Sequence, residues 1–268
     1  MTVLMGKIAR YFKWLGGTAL YLIFPPFCPV CGEVSGKRHL GEPCTECLAR
    51  LMDETRTACP KCRRPPAECT CAPELYDEFS VSPMTEIRPL IFSAFYEGYR
   101  DGSAVSSLVY HTKRVADSSG AAFLARMISA EILRRAATDG FDARDFVVTY
   151  IPRSAPALRK YGFDHMELCA KRCAKLLGCR FQPMLARRGG TDQKALGEAD
   201  RRRNAEATIS LKRNRAGLAD GARLIVIDDV ITTGATMRAA ISSLSLAGAA
   251  EIIPASAYLS LTEKSAEA

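Results

Sequence analysis

The sequence predicts an α/β protein with a largely parallel sheet and a small cysteine-rich module at its N-terminal end. Eight of the eleven cysteines lie between residues 28 and 71. From residue 86 onward, segments with strand character alternate with segments of helical periodicity, as in sheets built with crossover helices. Residues 223–229, RLIVIDD, form a continuous apolar run that ends in two acids. Such a run is typical of a strand covered on both faces.

The composition fits a folded globular chain that favours anionic partners. Its 268 residues are long enough for one sizeable core and a small appended module. Apolar residues make up 48% and charged residues 25%, which argues against disorder. The formal net charge of +8 suits phosphates or nucleic acid and does not distinguish between them.

Residues 8–27 look superficially like a targeting segment. Their apolar run is interrupted at Gly16-Gly17 and ends at Pro25-Pro26, so it is shorter than the roughly 20 apolar residues that span a bilayer. No small-residue cleavage site follows before the cysteines. We therefore expect a packed or amphipathic helix over residues 1–23, no membrane span and a cytoplasmic protein.

The cysteine spacing predicts two structural zinc sites. A first set of paired CxxC motifs consists of Cys28, Cys31, Cys44 and Cys47. A second set with tighter spacing consists of Cys59, Cys62, Cys69 and Cys71. A CxxC motif holds two thiolates on one turn, and two pairs complete a tetrahedral zinc site. A disulfide framework is the weaker alternative, because the sequence shows no secretion signal.

Two pairings of these motifs are compatible with the sequence. Sequential pairing gives two stacked ribbons, whereas interleaved pairing gives a cross-braced site. The matching layout around Pro29 and Pro60 favours two similar units in sequence, so residues 24–75 are predicted to form a double zinc ribbon. Residues 28–71 are poor in aromatic side chains, which favours a structural role over stacking on bases.

Strand and helix signals then alternate along the chain. Residues 87–102 are rich in aromatic side chains and end in Asp-Gly, which indicates a strand and a turn. Residues 118–137 have apolar side chains at helical spacing, including Leu133, and residues 145–152 are typical of a strand stopped by a proline. A helix is predicted over residues 164–177, with Asp164 as its N-cap and a glycine just past its end.

Another helix and another strand are predicted for residues 236–247 and 251–259. Cys169 and Cys173 lie four residues apart on the apolar face of the helix over 164–177, so core packing is favoured over metal binding. The same face is predicted to include Leu176. For the histidines His111 and His165, solvent-facing roles are favoured over catalysis.

The stretch LIVIDDVITTGATM, residues 224–237, contains the main candidate ligand-binding residues. Ligands of open parallel sheets bind beyond the carboxyl ends of the strands, so Asp228 and Asp229 are expected at a ligand-facing edge. The next residues, at the start of a helix, offer backbone N–H groups and hydroxyls for a phosphate: Thr232, Thr233, Gly234, Ala235 and Thr236. The carboxylates suit a diol or Mg²⁺. The stretch therefore predicts a ribose 5-phosphate site; an ordinary strand, turn and capped helix is the alternative.

This stretch closely resembles the phosphoribosyl diphosphate (PRPP) motif of type I phosphoribosyltransferases. Together with the cysteine-rich module, the chain is similar to the ComF family of competence-associated proteins from about Phe24 onward. Four blocks carry the resemblance: FPPFCPVCG, YEGYRDGSAVSSLVYHTKR, IPRSAPALRKYGFDHMELCAK and RRGGTDQKALGEADRRRNAEATI. The resemblance implies a phosphoribosyltransferase-like domain over residues 86–262, PRPP with Mg²⁺ as its ligand, and a ligand-binding role for Lys113.

One block departs from the family pattern. Tyr161-Gly162-Phe163-Asp164-His165 stands where the family usually has Arg-Gly-Phe-Asn-Gln, so that a phenol replaces a cation and an acid replaces an amide. The segment around Lys113 is also more polar than usual. These differences concern the diphosphate and acceptor side of the site more than the ribose phosphate side.

Two basic segments are further candidates. Residues 151–160 are expected to form a basic loop at a carboxyl edge of the sheet, and four of its side chains could bind the diphosphate of PRPP: Arg153, Ser154, Arg159 and Lys160. A solvated basic loop is the alternative. By resemblance, residues 187–215 are the flexible loop over the site, with Thr191 and Gln193 near its tip. Residues 201–203, three arginines, could instead contact a nucleic-acid backbone or lie on a charged surface.

Three functions are compatible with the sequence. The first is a phosphoribosyltransferase with an unknown acceptor, in which Asp228 and Asp229 are the candidate catalytic residues and act by positioning and charge stabilisation. The second, implied by the ComF resemblance, is a non-catalytic protein that binds single-stranded DNA during DNA uptake, with a competence helicase as partner. The third is a PRPP-responsive regulator. A ligand site is required for each and does not distinguish them.

Overall fold

The computed structural model describes residues 27–34, 41–56, 58–59, 63–68, 82–96, 101–116, 119–187 and 209–260. The predicted helix over residues 1–23 lies outside these ranges. So do Cys62, Cys69 and Cys71, and the part of the predicted flexible loop that contains Thr191, Gln193 and residues 201–203. Within the described ranges, no helix is long and apolar enough to cross a membrane.

Sixteen helices and strands in these ranges are used below. The helices are α1 (Thr45–Glu54), α2 (Ala104–Arg114), α3 (Ser119–Asp139), α4 (Ala155–Tyr161), α5 (His165–Leu177), α6 (Ala216–Ala219) and α7 (Ala235–Ser245). The strands are β1 (Thr55–Arg56), β2 (Glu86–Ile87), β3 (Ile91–Tyr96), β4 (Val147–Tyr150), β5 (Arg180–Phe181), β6 (Leu185–Arg187), β7 (Ile209–Leu211), β8 (Arg223–Ile231) and β9 (Glu251–Ser260).

Seven of the described strands form one mostly parallel sheet. Its order is β1-β3-β9-β8-β4-β5, and β2 also pairs with β9. The pairs are parallel except for β1 with β3, and β6 and β7 form a separate antiparallel ribbon. The predicted α/β class with a largely parallel sheet is confirmed.

Two apolar layers cover the sheet. One layer combines α3 and α5 with the sheet through fully buried side chains such as Ile128 and Met166. The other places α7 on the sheet through Ile241 and Leu244. Both faces of the central strands are therefore covered, which explains why every residue of β9 is buried.

Helix α5 begins and ends as its sequence signals predict. The Oδ1 of Asp164 accepts a hydrogen bond from the Met166 N–H at 3.0 Å, and Gly178 takes a left-handed conformation with φ of 71°. Cys169 and Cys173 are fully buried in the core, as predicted. Leu176 is 50% exposed, contrary to its predicted place on the apolar face.

Two further expectations need correction. Leu133 of α3 is 48% exposed, because the buried face of that helix includes Ile128 and Ile132 and excludes it. The basic segment expected as a loop contains helix α4 instead. The Ser154 hydroxyl accepts a hydrogen bond from the Ala157 N–H at 3.4 Å and caps this helix, and a proline stands in its first turn.

The N-terminal module packs directly on the α/β core. Cys47 and Leu51 of α1 belong to the same buried cluster as Leu108 of α2, and β1 adds an antiparallel strand to the sheet beside β3. Glu54, the last residue of α1, caps the N-terminus of α2: its carboxylate accepts hydrogen bonds from the Ala104 N–H at 2.8 Å and the Val105 N–H at 3.2 Å. Burial opposes ionisation, but these bonds lower the pKa of Glu54 below its usual value.

Candidate functional site

Strand β8 leads into the N-terminus of α7, where the N-cap residue Gly234 offers no side chain to cap the helix. β8 continues past the two acids to Ile231, two residues further than the sequence run suggests. Thr232 and Thr233 are exposed, and Gly234 takes φ of 72° at the N-cap of the eleven-residue helix α7 without a side-chain cap. A long contact of 3.5 Å joins the Ala235 N–H to the Thr233 hydroxyl. This arrangement leaves donors at the positive end of the helix dipole for an anion.

Asp229 lies buried in a network of three donors. Only 4% of the residue is exposed. Its Oδ2 is 2.8 Å from the Nζ of Lys113 and 3.1 Å from the Nε2 of His165, and its Oδ1 accepts a hydrogen bond from the Val230 N–H at 2.8 Å. Burial alone would raise the pKa of Asp229, but the charge of Lys113 and the bond from His165 hold it well below its usual range. Asp229 is therefore ionised.

Asp228 behaves differently although it is the adjacent residue. It is half-buried, and its Oδ1 accepts a hydrogen bond from the Asp229 N–H at 2.9 Å. Burial and the charge of Asp229 together raise the pKa of Asp228 to about 8. Asp228 is therefore the harder of the two carboxyl groups to ionise, and a bound cation would favour its ionised form.

Lys113 lies beside the acidic pair, with its Nζ in contact with Asp229. Lys113 lies in the last turn of α2, with 40% of its side chain exposed. Burial lowers the pKa of Lys113, but the charge of Asp229 outweighs it and raises the pKa above its usual value. The lysine therefore compensates the negative charge of Asp229.

His165 was wrongly expected to face solvent. It is 4% exposed, and its Nε2 contacts Asp229, which is 64 residues away along the chain. Its Nδ1 has no hydrogen-bond partner in the described residues. The position of His165 directly after the N-cap Asp164 could have indicated its place in the site. The first turn of a helix that packs on a parallel sheet lies close to the strand ends.

The end of β4 lies beside the acidic pair. The Ile151 N–H donates to the Ile227 carbonyl at 3.1 Å, which aligns this edge with β8. The Arg153 N–H donates to Asp164 at 2.9 Å, and the Arg153 side chain donates to the Phe163 carbonyl at 3.3 Å. Arg153 is therefore fixed next to the site, whereas Arg159 and Lys160 are exposed in the last turn of α4.

The first cysteine set converges as sequential pairing predicts. The sulfur atoms of four residues lie within 4.8 Å of one another: Cys28, Cys31, Cys44 and Cys47. The Cys44 N–H donates to the Cys28 sulfur at 3.3 Å, a contact that supports a thiolate. Four sulfur donors at this spacing fit tetrahedral zinc. Cys59 is buried, and its three predicted partners lie outside the described ranges.

Comparison with known proteins bears on the α/β part of the chain. Residues 168–266 match the family model described as the phosphoribosyl transferase domain. No curated protein matches the chain.

Two solved structures resemble it at 22% sequence identity. One is described as the allosteric regulatory enzyme of purine biosynthesis, with a TM-score of 0.29. The other is glutamine phosphoribosylpyrophosphate amidotransferase from B. subtilis complexed with ADP and GMP, with a TM-score of 0.28. Each likeness covers 41% of this chain and 21% of the other, so the matched region spans about a fifth of those enzymes. The chain is an α/β protein, and the part that matches the phosphoribosyl transferase domain model contains Asp228, Asp229 and the loop that follows them.

Proposed function

We propose that this protein is a phosphoribosyltransferase that binds PRPP with Mg²⁺ at the carboxyl end of β8 and transfers the phosphoribosyl group to an acceptor. The observation that carries the proposal is the acidic pair at Asp228 and Asp229, followed at once by the uncapped N-terminus of α7. The two acids can accept hydrogen bonds from a ribose diol, and the backbone N–H groups at the start of α7 can bind a 5-phosphate. A ribose 5-phosphate needs both kinds of group close together, and this short segment provides them.

Each half of the segment has a separate task. The backbone of residues 232–236 holds the 5-phosphate, and the threonine hydroxyls add donors there. Asp228 is the more accessible acid and faces the diol, while Asp229 is held in place by Lys113 and His165. Mg²⁺ bound with PRPP would use Asp228 as its protein ligand and would neutralise charge on the diphosphate.

The reaction needs no covalent intermediate with the protein. The bond between C1 of the ribose and the diphosphate oxygen breaks, both electrons leave with the diphosphate, and the acceptor donates an electron pair to C1 and gives up a proton. Arg153, which follows β4 and is held by Asp164, would stabilise the charge that develops on the diphosphate. The four cysteines of the first set would hold zinc, which stabilises the N-terminal module.

Calorimetry with ribose 5-phosphate and with PRPP, each with and without Mg²⁺, tests the site. We expect the wild-type protein to bind both ligands and the double variant Asp228→Ala/Asp229→Ala to lose at least about 30-fold in PRPP affinity, which corresponds to two charge-assisted contacts. The exposed Asp53→Asn variant is the matched control and should bind normally. Unchanged PRPP binding by a folded double variant would reject the site.

The ComF resemblance motivates a second proposal, in which the protein is cytoplasmic and binds single-stranded DNA with a competence helicase as partner. The net charge of +8 favours it. Titration of a labelled oligothymidine at two salt concentrations tests it. Salt-sensitive binding without PRPP affinity would favour this second function, and the absence of oligonucleotide binding at low salt would reject it.

A further inference from the structure

The cysteine-rich module reaches the proposed ligand site through helix α2. At the start of α2, the carboxylate of Glu54 accepts hydrogen bonds from the Ser103 hydroxyl at 2.7 Å and from the first two N–H groups of the helix at 2.8 and 3.2 Å. Arg50, one turn earlier in α1, donates to the Gly102 carbonyl. The last turn of α1 therefore holds the N-terminus of α2 through side chains of both charges.

The first CxxC turn lies against the opposite end of α2. Gly32 directly follows Cys31, and a Cβ built on Gly32 would lie 4.0 Å from the Nε2 of His111. His111 and Lys113 belong to the last turn of α2. The module therefore adjoins α2 at both ends, and its first cysteine turn lies beside the turn that carries Lys113.

The first cysteine set also determines how firmly α1 is held. Cys44 is the N-cap of α1 and Cys47 lies in its first turn, so two of the four converging sulfur atoms are at the start of this helix. Cys47 and Leu51 are its buried side chains. A ten-residue helix is marginal on its own, and metal ligation in a small module contributes directly to its folding free energy. We therefore expect the position of Glu54 to depend on whether the sulfur atoms hold a metal.

Lys113 links α2 to the acidic pair. Its Nζ is 2.8 Å from Asp229, and Leu108 of the same helix is buried in one cluster with Leu51 of α1. A displacement of α2 would move the ammonium group away from Asp229, whose uncompensated charge would then repel an incoming phosphate. Ordering of α2 therefore favours an anionic ligand at this edge of the sheet.

We propose that Glu54 is a positioning residue that couples metal binding at the first cysteine set to ligand binding at the acidic pair. This inference rests on the proposed function. Glu54 acts through α2 and Lys113, because its carboxylate fixes the start of the helix whose last turn holds Asp229. Coupling between two sites is reciprocal, so a ligand at the acidic pair raises the metal affinity of the cysteines by the same factor.

Calorimetry with ribose 5-phosphate tests the coupling in the full chain, with zinc bound and after zinc removal by a chelator. We expect zinc removal to weaken the affinity of the wild-type protein about 5-fold, the lower end of typical coupling between sites. In Glu54→Ala the two zinc states should differ by less than about 2-fold in affinity. Glu46→Gln, at an exposed position of the same helix, should keep the wild-type ratio. An equal zinc dependence in Glu54→Ala and the wild type would refute the role of Glu54, since a merely structural contribution weakens both zinc states alike.

A double-mutant cycle in the zinc-bound protein decides the question even if the zinc-free chain does not fold. Glu54→Ala should weaken ribose 5-phosphate binding about 5-fold in the wild-type background and less than about 2-fold in the Lys113→Met background, because Glu54 acts through Lys113. Equal losses in both backgrounds would refute this route.

A third measurement separates the inference from the function on which it rests. If ribose 5-phosphate does not bind to the zinc-bound wild-type protein, the proposed function fails, and amide hydrogen exchange then tests the link by itself. Zinc removal should speed exchange in the last turn of α2 in the wild type and not in Glu54→Ala. The same change in both proteins, or a wild-type chain that takes up no zinc, would overturn the inference, whereas the proposed function is judged by ligand binding alone.

Discussion

Replacing Lys113 by methionine removes the cation that faces the buried carboxylate of Asp229. At their separation of 2.8 Å, two unit charges attract by about 1.5 kcal/mol in a water-like medium and by about 6 kcal/mol at an effective dielectric constant of about 20. Because 40% of the lysine side chain is exposed, the true value lies towards the lower end. We expect Lys113→Met to lower the free energy of unfolding by about 2 kcal/mol at pH 7.

A double-mutant cycle isolates the pair. Urea unfolding of Lys113→Met, Asp229→Asn and the double variant should give a coupling energy of about 1.5–3 kcal/mol at pH 7. The pKa of Asp229 is lowered in the folded state, so this coupling is fully present above about pH 4 and decreases as the pH falls towards the folded pKa. The coupling should therefore be smaller at about pH 3.

A second ion pair provides the control for geometry. Lys171 and Glu167 are 2.7 Å apart, almost the same distance, but their side chains are 54% and 38% exposed. Their cycle should give less than about 0.5 kcal/mol. If the coupling between Lys113 and Asp229 is equally small, or does not change between pH 7 and pH 3, the account of Asp229 as an ionised group held by Lys113 is wrong.

Three further predictions concern the supports of the site. Glu54→Gln should lower the free energy of unfolding by about 1–2 kcal/mol in urea titrations, because the carboxylate that caps α2 loses its charge. As a control, Glu46→Gln at an exposed position should change the free energy of unfolding by less than about 0.5 kcal/mol. Because the pKa of Asp228 is raised in the folded state, the free energy of unfolding should fall as the pH rises from about 4 to about 8. Asp228→Asn should therefore match the wild type in free energy of unfolding near pH 4 and exceed it at pH 9 by on the order of 1–2 kcal/mol. A variant that is less stable than the wild type at pH 9 would contradict the raised pKa. Cys47→Ser should reduce the zinc content measured by mass spectrometry and lower the Tm, and an unchanged zinc content would exclude the first cysteine set as a metal site.

Local signals were sufficient where one short segment determines the structure. Helix α5 starts at the residue after Asp164 and ends before Gly178, because both the cap and the left-handed glycine are properties of their own neighbourhood. Each CxxC motif likewise predicted two thiolates on one turn, although the spacing left sequential and interleaved pairing of the motifs open. The two acids could be placed at a strand end because continuous apolar runs in alternating α/β sequences form parallel strands.

Contacts between distant segments could not be predicted from such signals. β8 continues to Ile231 because its last two residues pair with Tyr258 and Leu259 of β9. This pairing extends the strand beyond Asp228 and Asp229, although acidic residues are uncommon in strands. His165 was misjudged because its partner Asp229 lies on another element. Helix α4 was not predicted, because its seven residues are too few for a periodic pattern.

A crystal structure of the protein with PRPP and Mg²⁺ tests the central claim most directly. The account predicts the 5-phosphate on the backbone N–H groups of residues 232–236, the ribose diol at Asp228 and Asp229, and the diphosphate beside Arg153. A structure with PRPP bound elsewhere, or with the acidic pair and the N-terminus of α7 free of ligand at saturating PRPP, would contradict it.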